Sequence, residues 1–499
     1  MSRPSPRSSF VAQAAGLCVV CWGALAFGCV YPWAYWPLAT AAVMVGAAGL
    51  IVSRSQRTRS VSRAFVWTLA AVAAAILVQL IPLPTPSLAA LSPRAVDLLN
   101  ELDPAFHAGL VPLHTLSVWP RDTVVAFVLF GSFAILLFGL AALFSTTGAR
   151  RFVEALTVLG VVLALVGIVQ KPLFTGSIYG LWPLDVGRQP FGPFVNKNHV
   201  AGWMVMALPL TLALLFAGIA RSMSKVKTGW RHKVLWLSSP EASRLVLLGG
   251  AAGVMALSLM LTLSRSGIAA FAVSMMITGW FAARALDNRY RRISAAVCLV
   301  LLLTAVVLWT GPVVIASRFA SADWGEFNNR RGAWADAWSV VQDFPLTGTG
   351  LNTYWAASLF YQRHELSQFF AEAHNDYLQF AAEGGLLLII PAVMCLAFLV
   401  RDLRHAMRDQ RGSTEWWLRA GAITSLFAIA LQESVEFSLQ MPGNAALLAV
   451  VCAIGLQQGA GSRDDHGDDQ PPLPPRRPGR SLRLVAPERG TRQTGELSR

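Results

Sequence analysis

Charge is scarce in this sequence. Only 14% of its 499 residues are Asp, Glu, Lys or Arg, while 55% are apolar. Soluble globular chains carry about 25% charged residues, so there is too little charge here to cover a water-facing surface, and a soluble enzyme is excluded. Cysteine is scarce too. The six residues Cys18, Cys21, Cys29, Cys298, Cys395 and Cys452 all lie within or at the edge of apolar runs, which excludes a disulfide framework. The Cys18-x-x-Cys21 pair sits in an apolar run rather than beside a strand, so it does not read as a redox motif. The chain has no P-loop, no dinucleotide-binding glycine fingerprint and no nucleophile elbow. His364-Glu365 and Glu372-x-His374 lack the H-E-x-x-H spacing, so neither a metal nor a cofactor is expected.

What is present is a succession of long apolar runs. A span needs about 20 mostly apolar residues, and twelve candidates satisfy this loosely: 9–28, 37–53, 64–82, 122–144, 152–170, 199–220, 245–263, 268–283, 293–315, 384–400, 418–437 and 443–458. With the N-terminus inside, the cytoplasmic segments hold 31 of the 41 Lys and Arg residues and the outer ones 10. This bias follows the positive-inside rule. It also explains the net charge of +14 without a nucleic-acid partner. The expected architecture is an all-α polytopic membrane protein of about twelve transmembrane helices with both termini cytoplasmic, which in a bacterium means the cytoplasmic (inner) membrane. Residues 1–458 form the transmembrane domain. The long loops 83–121 and 316–383 face the periplasm, the second being large and partly helical. Residues 459–499, with a Pro-Pro-Leu-Pro-Pro-Arg-Arg-Pro run, read as a disordered cytoplasmic tail. The basic, apolar N-terminus has the outline of a signal peptide but no evident cleavage site, so it is kept as the first span.

A charge placed in lipid costs about 2.5–3.5 kcal/mol or more, so polar residues at the ends of spans carry information. Four clusters fall on the outer side. The first runs Gly187-Arg188-Gln189-Pro190-Phe191-Gly192-Pro193-Phe194-Val195-Asn196-Lys197-Asn198-His199, a non-helical approach to a helix N-terminus suited to an anion such as phosphate. The second is the turn Ser264-Arg265-Ser266-Gly267, whose outward arginine opposes the positive-inside rule. The third, Asn328-Asn329-Arg330-Arg331, leads into a helix with Trp334, Trp338 and Val341 on one face, a stripe expected to pack or to lie on the bilayer. That helix ends at Phe344-Pro345, before a Gly348-Thr349-Gly350 turn. The fourth is Glu372-Ala373-His374-Asn375-Asp376-Tyr377-Leu378, followed by Glu383-Gly384-Gly385. His374 is a candidate general base or acid, because His titrates near neutral pH without help. Asp323, Glu326 and Glu383 are possible helpers.

In this order, the run from Arg188 to Gly202, the Leu-Ser-Arg-Ser-Gly turn at 263–267, Arg330 four residues before Trp334 with Phe344-Pro345-Leu346-x-Gly348-x-Gly350, and Ala373-His374-Asn375-Asp376-Tyr377-Leu378 resemble the bacterial O-antigen ligase and Wzy-type polymerase family. The resemblance covers about 188–385; the flanking spans match only in hydropathy and number. It implies a GT-C-like membrane glycosyltransferase, inverting and metal-independent, taking a glycan from an undecaprenyl-diphosphate donor to an acceptor such as lipid A–core. By position, Arg265 and Arg330 would grip the diphosphate, with Arg188 and Lys197 nearby. His374 would activate the acceptor hydroxyl or assist the departing group, with Asn375, Asp376 and Tyr377 orienting it. Asn196, Asn198 and His199 would support the first cluster, and Arg331 stays an alternative to Arg330. A polymerase joining repeat units is the nearest alternative. A flippase for lipid-linked oligosaccharide would want charge near the bilayer midplane, where only Glu433 and Glu436, late in the eleventh span, stand out.

Overall fold

The computed structural model describes residues 6–54, 61–184, 189–222, 238–286, 324–364, 366, 369–408 and 411–458, with scattered positions between 289 and 304. The expected ninth span and the tail 459–499 therefore lie wholly or largely outside the described residues, as do Arg188 and Asp323. The helices run α1 (Pro6–Leu25), α2 (Pro32–Ser53), α3 (Arg63–Gln79), α4 (Thr85–Leu91), α5 (Pro93–Leu102), α6 (Pro104–His107), α7 (Pro120–Thr147) and α8 (Arg150–Leu173). They continue with α9 (Lys197–Ser222), α10 (Pro240–Leu261), α11 (Arg265–Ala285), α12 (Trp324–Asp343), α13 (Tyr354–Tyr361), α14 (Asp376–Ala406), α15 (Thr414–Gln432) and α16 (Pro442–Leu456). Two minimal hairpins, β1 (Leu83–Pro84) with β2 (Leu113–His114) and β3 (Ser177–Ile178) with β4 (Trp182–Pro183), are antiparallel.

Helices follow from the apolar runs because lipid offers no partner to backbone N–H and C=O groups, so each segment must satisfy its own. Eight of these helices are long and apolar enough to cross a membrane, and α3 and α16 are shorter apolar helices. The chain is thus a helical, multi-pass membrane protein, while the expected count of twelve spans is not reached among the described residues. The axis of the bundle is α9: 89% of its most apolar stretch is buried, and α8, α10, α11 and α15 surround it. Against α2, α7 approaches until backbones touch. A Cβ on Gly139 would sit 2.1 Å from Gly46 O, the small-residue packing that membrane helices use in place of a hydrophobic driving force.

The described residues of the loops 83–121 and 316–383, expected separately, form one layer. Leu88, Leu98, Leu99 and Phe106 of the first pack with Ala337, Val340, Phe344 and Tyr354 of the second. On α12 the buried face is Ala333, Ala337 and Val340; of the expected stripe, Val341 packs against the same core, Trp334 is half-buried and Trp338 is exposed.

The layer is locked to the bundle at a break in α14. Gly385 has φ 54 and ψ −162, and the N–H groups of Leu386 and Leu387 donate instead to Pro345 O and Leu346 O, both at 2.9 Å. Gly348 (φ 63) lies against this break, where a Cβ would meet Glu383 O at 2.1 Å. From the end of α3, the buried Gln79 amide donates to Thr347 O (2.7 Å) and Glu383 O (2.8 Å) and accepts from Leu351 N (3.1 Å). The two glycine pairs of the sequence are thus one interlock of backbones. Gly348→Ala adds a Cβ where none fits, in a conformation that L-residues disfavour. The expected outcome is a loss on the order of 2–4 kcal/mol, seen as a fall of several degrees in the thermal midpoint of the detergent-solubilised protein.

Candidate active site

Three helix N-termini and one C-terminus converge at the end of the bundle that carries the second layer. Each N-terminus is capped by a short polar side chain, which satisfies an otherwise orphaned N–H. Asn196 Oδ1 accepts from Asn198 N at 2.9 Å ahead of α9, Ser264 Oγ from Gly267 N at 3.3 Å ahead of α11, and Asn375 Oδ1 from Leu378 N at 3.1 Å ahead of α14. Lys197 and Arg265 therefore occupy the first helical positions of α9 and α11.

What joins these ends is the turn after α15. Glu433 and Glu436, expected inside an eleventh span at 418–437, lie beyond the helix, which stops at Gln432. The Glu436 side chain is only 2% exposed. Its Oε1 accepts from Arg330 Nη2 at 2.9 Å, from Asn198 Nδ2 at 2.8 Å and from Ser266 Oγ at 3.4 Å. Arg330 Nη1 donates to Val435 O at 2.9 Å. One carboxylate thus gathers a residue from each of the first three clusters. The fourth joins through Asp376, whose N–H donates to Glu433 O at 3.0 Å and whose Oδ1 accepts from Gln440 Nε2 at 2.6 Å. Of the neighbouring arginines, Arg330 turns inward and Arg331 is exposed.

His374 is held in the left-handed region (φ 52), a conformation costing about 1–3 kcal/mol that surroundings must enforce. Trp334 Nε1 donates to its carbonyl at 3.3 Å. Its ring meets Phe437 edge-on, centroids 4.8 Å apart, and Phe437 meets His199 the same way at 4.9 Å. The His374 Nδ1 atom is buried without a hydrogen-bond partner. Burial, with the Arg330 charge adding to it, pushes the imidazole from its usual 6.5 down to about 4, so it is neutral at physiological pH.

Tyr377, expected to orient the reacting group, and Glu383, an expected helper, both have hydrogen-bond partners within the fold. Tyr377 donates from its hydroxyl to Ala430 O at 2.7 Å, tying α14 to α15. Glu383 is buried and accepts from Asn352 N (2.8 Å), Tyr354 N (3.0 Å) and Gln379 Nε2 (3.1 Å), organising the loop ahead of α13. The side chain of Glu326 lies outside the described residues. Glu433, Glu436, Phe437 and Gln440 were not legible as site residues. Their one signal was the cost of two carboxylates placed in an apolar run, an expense that needs a partner. Among the described residues, no group of three or more His, Cys, Asp and Glu could hold a metal ion.

Beside the turn lies a cavity of about 1440 Å³. Asn196, His199, Asp376, Tyr377, Glu383 and Glu433 form its polar end, and α14, α15 and α16 its apolar walls. Arg265, Arg330 and His374 are not in its wall; Phe437 and the backbone of the 433–437 turn stand between.

A helical, multi-pass membrane protein with a polar site gathered at one end of the bundle is the class that this architecture defines. Residues 250–393 match the O-antigen ligase family, and over that stretch the resemblance read from the motifs holds. The match includes Arg265, Arg330, His374 and Glu383, and stops short of both the first cluster and Glu436. Among curated proteins no match is found. Family and fold together support a membrane glycosyltransferase-like function.

Removing one partner of a buried ion pair strands the other. Arg330→Ala is therefore expected to destabilise by about 3 kcal/mol, and Arg330→Met with Glu436→Met together by less, measured as thermal midpoints of the purified variants. Arg331→Ala is expected to be near neutral. The His374 shift adds a pH dependence. Its folded value lies below the unfolded one, so the unfolded chain binds more protons between about pH 4 and 6.5, and stability rises with pH across that window and levels off above it. In His374→Gln that part of the slope is expected to vanish from a plot of thermal midpoint against pH.

Proposed function

We propose that the chain is a ligase-like glycosyltransferase of the cytoplasmic membrane, transferring a glycan from undecaprenyl diphosphate to an acceptor sugar on the periplasmic face. The observation that carries this reading is the convergence of all four motif clusters on the Glu433–Glu436 turn. A departing diphosphate develops negative charge, and charge-assisted donors in a dry site stabilise it strongly. Arg330 and Arg265, with Lys197 and Arg188 from the first cluster, are the cations for that task. The N-termini of α9 and α11 add their dipoles to the same region. Such a donor is already activated, which fits a chain without a nucleotide-binding motif, and the reading needs no metal ion.

Glu436 has a defined part in this scheme. Its carboxylate holds the Arg330 guanidinium by one edge, so the fork is oriented before the donor arrives and little reorganisation remains at the moment of reaction. His374, neutral and with an open Nδ1, suits a hydrogen bond from a substrate hydroxyl beside the reacting carbon. Inversion follows if that hydroxyl attacks from the face opposite the diphosphate. A flippase is disfavoured because the two carboxylates that pointed to mid-membrane charge belong to a turn outside α15.

The test is the envelope glycan profile of a deletion strain carrying wild type or His374→Ala at matched membrane abundance. Polymer stranded on the lipid carrier in the variant is the expected result and supports a ligase. Single repeats on the acceptor would mean a polymerase, and a wild-type profile would remove His374 from the reaction.

A further inference from the structure

Six aromatic rings outside the four motif clusters meet at the same end of the bundle as the candidate site. Phe27, in the connection from α1 to α2, stands at their centre and is 7% exposed. The rings of Trp182, Tyr31, Tyr179 and Trp33 lie 5.2, 5.9, 5.9 and 6.0 Å from it, centroid to centroid. Trp22 meets Trp33 edge-on at 6.2 Å. Two segments distant in sequence supply these rings, residues 22–33 and the β3–β4 hairpin. The backbone beneath them is strained. Phe27, Gly28 and Cys29 have φ of 59, 70 and 58, and Tyr179 has φ 56. Three of these four residues are not glycine, and L-residues hold this region only where their surroundings enforce it. At Gly28 close approach requires the glycine, because a Cβ there would stand 3.0 Å from the Phe194 ring.

The polar edges of the rings are turned toward the protein. Trp22 Nε1 donates to Ala34 O at 2.9 Å, the Tyr179 hydroxyl to Leu25 O at 2.9 Å, and Trp182 Nε1 to the Tyr31 hydroxyl at 3.2 Å. Aromatic residues that only anchor a protein in the membrane interface sit the other way, with the polar tip among headgroups and the apolar body in lipid. Here Trp33, Tyr179 and Trp182 are 46%, 42% and 36% exposed, and with the Tyr179 and Trp182 edges bonded inward, what those two present is mostly ring carbon. The cluster is also continuous with the candidate site. Tyr31 and Pro183 line the cavity beside the 433–437 turn, and Phe194, packed on Gly28, is two residues ahead of Asn196, the cap of α9.

The face of an aromatic ring is electron-rich. A face of a neutral pyranose presents C–H bonds, apolar and weakly positive, so sugar rings stack on such surfaces with little dependence on the pattern of their hydroxyls. We infer that the cluster around Phe27 is a glycan-binding platform, on which Trp33, Tyr179 and Trp182 stack neutral pyranose rings of the donor's glycan at a distance from the reacting sugar. The inference rests on the glycosyl-transfer reading above, in which the donor carries the longer glycan and its distal units lie outside the reacting centre. Stacking makes and breaks no covalent bond. It supplies binding remote from the chemistry, equal in the ground and transition states, so it lowers KM for the donor and leaves kcat to the residues around Arg330 and His374. The strained turns serve this role by holding rings from two segments in one fixed surface, so that little order remains to be imposed when the glycan binds.

The test uses the full-length protein in nanodiscs with cellohexaose, a neutral oligosaccharide carrying neither lipid nor phosphate, read by saturation-transfer NMR. Saturation of its ring C–H protons is expected with the wild type. Trp33→Phe with Trp182→Phe keeps ring faces and is expected to retain binding within about twofold. Trp33→Leu with Trp182→Leu stays apolar but has no ring face, and is expected to weaken binding about tenfold. No saturation by the wild type, or equal saturation by the leucine pair, would overturn the assignment. So would quenching of wild-type tryptophan emission by lipids brominated in their acyl chains, if the leucine pair loses it, since the rings would then be a bilayer anchor. In glycan transfer the leucine pair is expected to raise KM for a polymer-bearing donor about tenfold, with kcat within about twofold; an unchanged KM would remove the donor's glycan from the platform. If the wild type binds cellohexaose as expected but transfers no glycan, the glycosyl-transfer reading fails and the platform stands as a neutral-sugar site.

Discussion

A carboxylate withdrawn from water is tolerated only when its charge is met by donors and a counter-charge, and Glu436 shows what meeting that requirement does to a structure. The donors come from three places far apart in sequence: the first turn of α9, the first turn of α11 and the helix α12. Moving any one of them away would leave a buried charge short of partners. The relative position of three helices is thereby tied to a single side chain. The turn that carries Glu436 also holds the start of α14 through the backbone of Glu433. Much of the rest follows: Arg330 faces inward because Glu436 is there, and Arg331 faces out because a helix presents neighbouring residues about 100° apart.

The second constraint is steric rather than electrostatic. At the break in α14 two backbones come closer than a Cβ allows, and the freed N–H groups are taken up by Pro345 and Leu346 carbonyls. Together with the Arg330–Glu436 pair and the Gln79 amide, this junction fixes the outer layer, which has its own small apolar core, to the membrane helices.

Much of the fold was legible in the sequence. Long apolar runs can become nothing but helices in lipid, and eleven of the twelve expected runs overlap described helices. The polar motifs at helix starts were visible for a related reason: caps, prolines and cations at the end of an apolar run are costly or informative locally, without knowledge of any partner. Arg330 and Arg331 were equivalent as sequence, and only the direction of a helix face separated them. Glu433 and Glu436 looked like charges misplaced in a span, because the end of α15 is decided by contacts of that turn with α9, α12 and α14 and not by its own composition. The two outer loops gave no sign that they share a core. The sequence by itself determined which segments become apolar helices and which polar residues stand at their ends. Tertiary structure decided which of those residues meet, since the partner that satisfies a buried charge is set by distance in space and leaves no periodic mark along the chain.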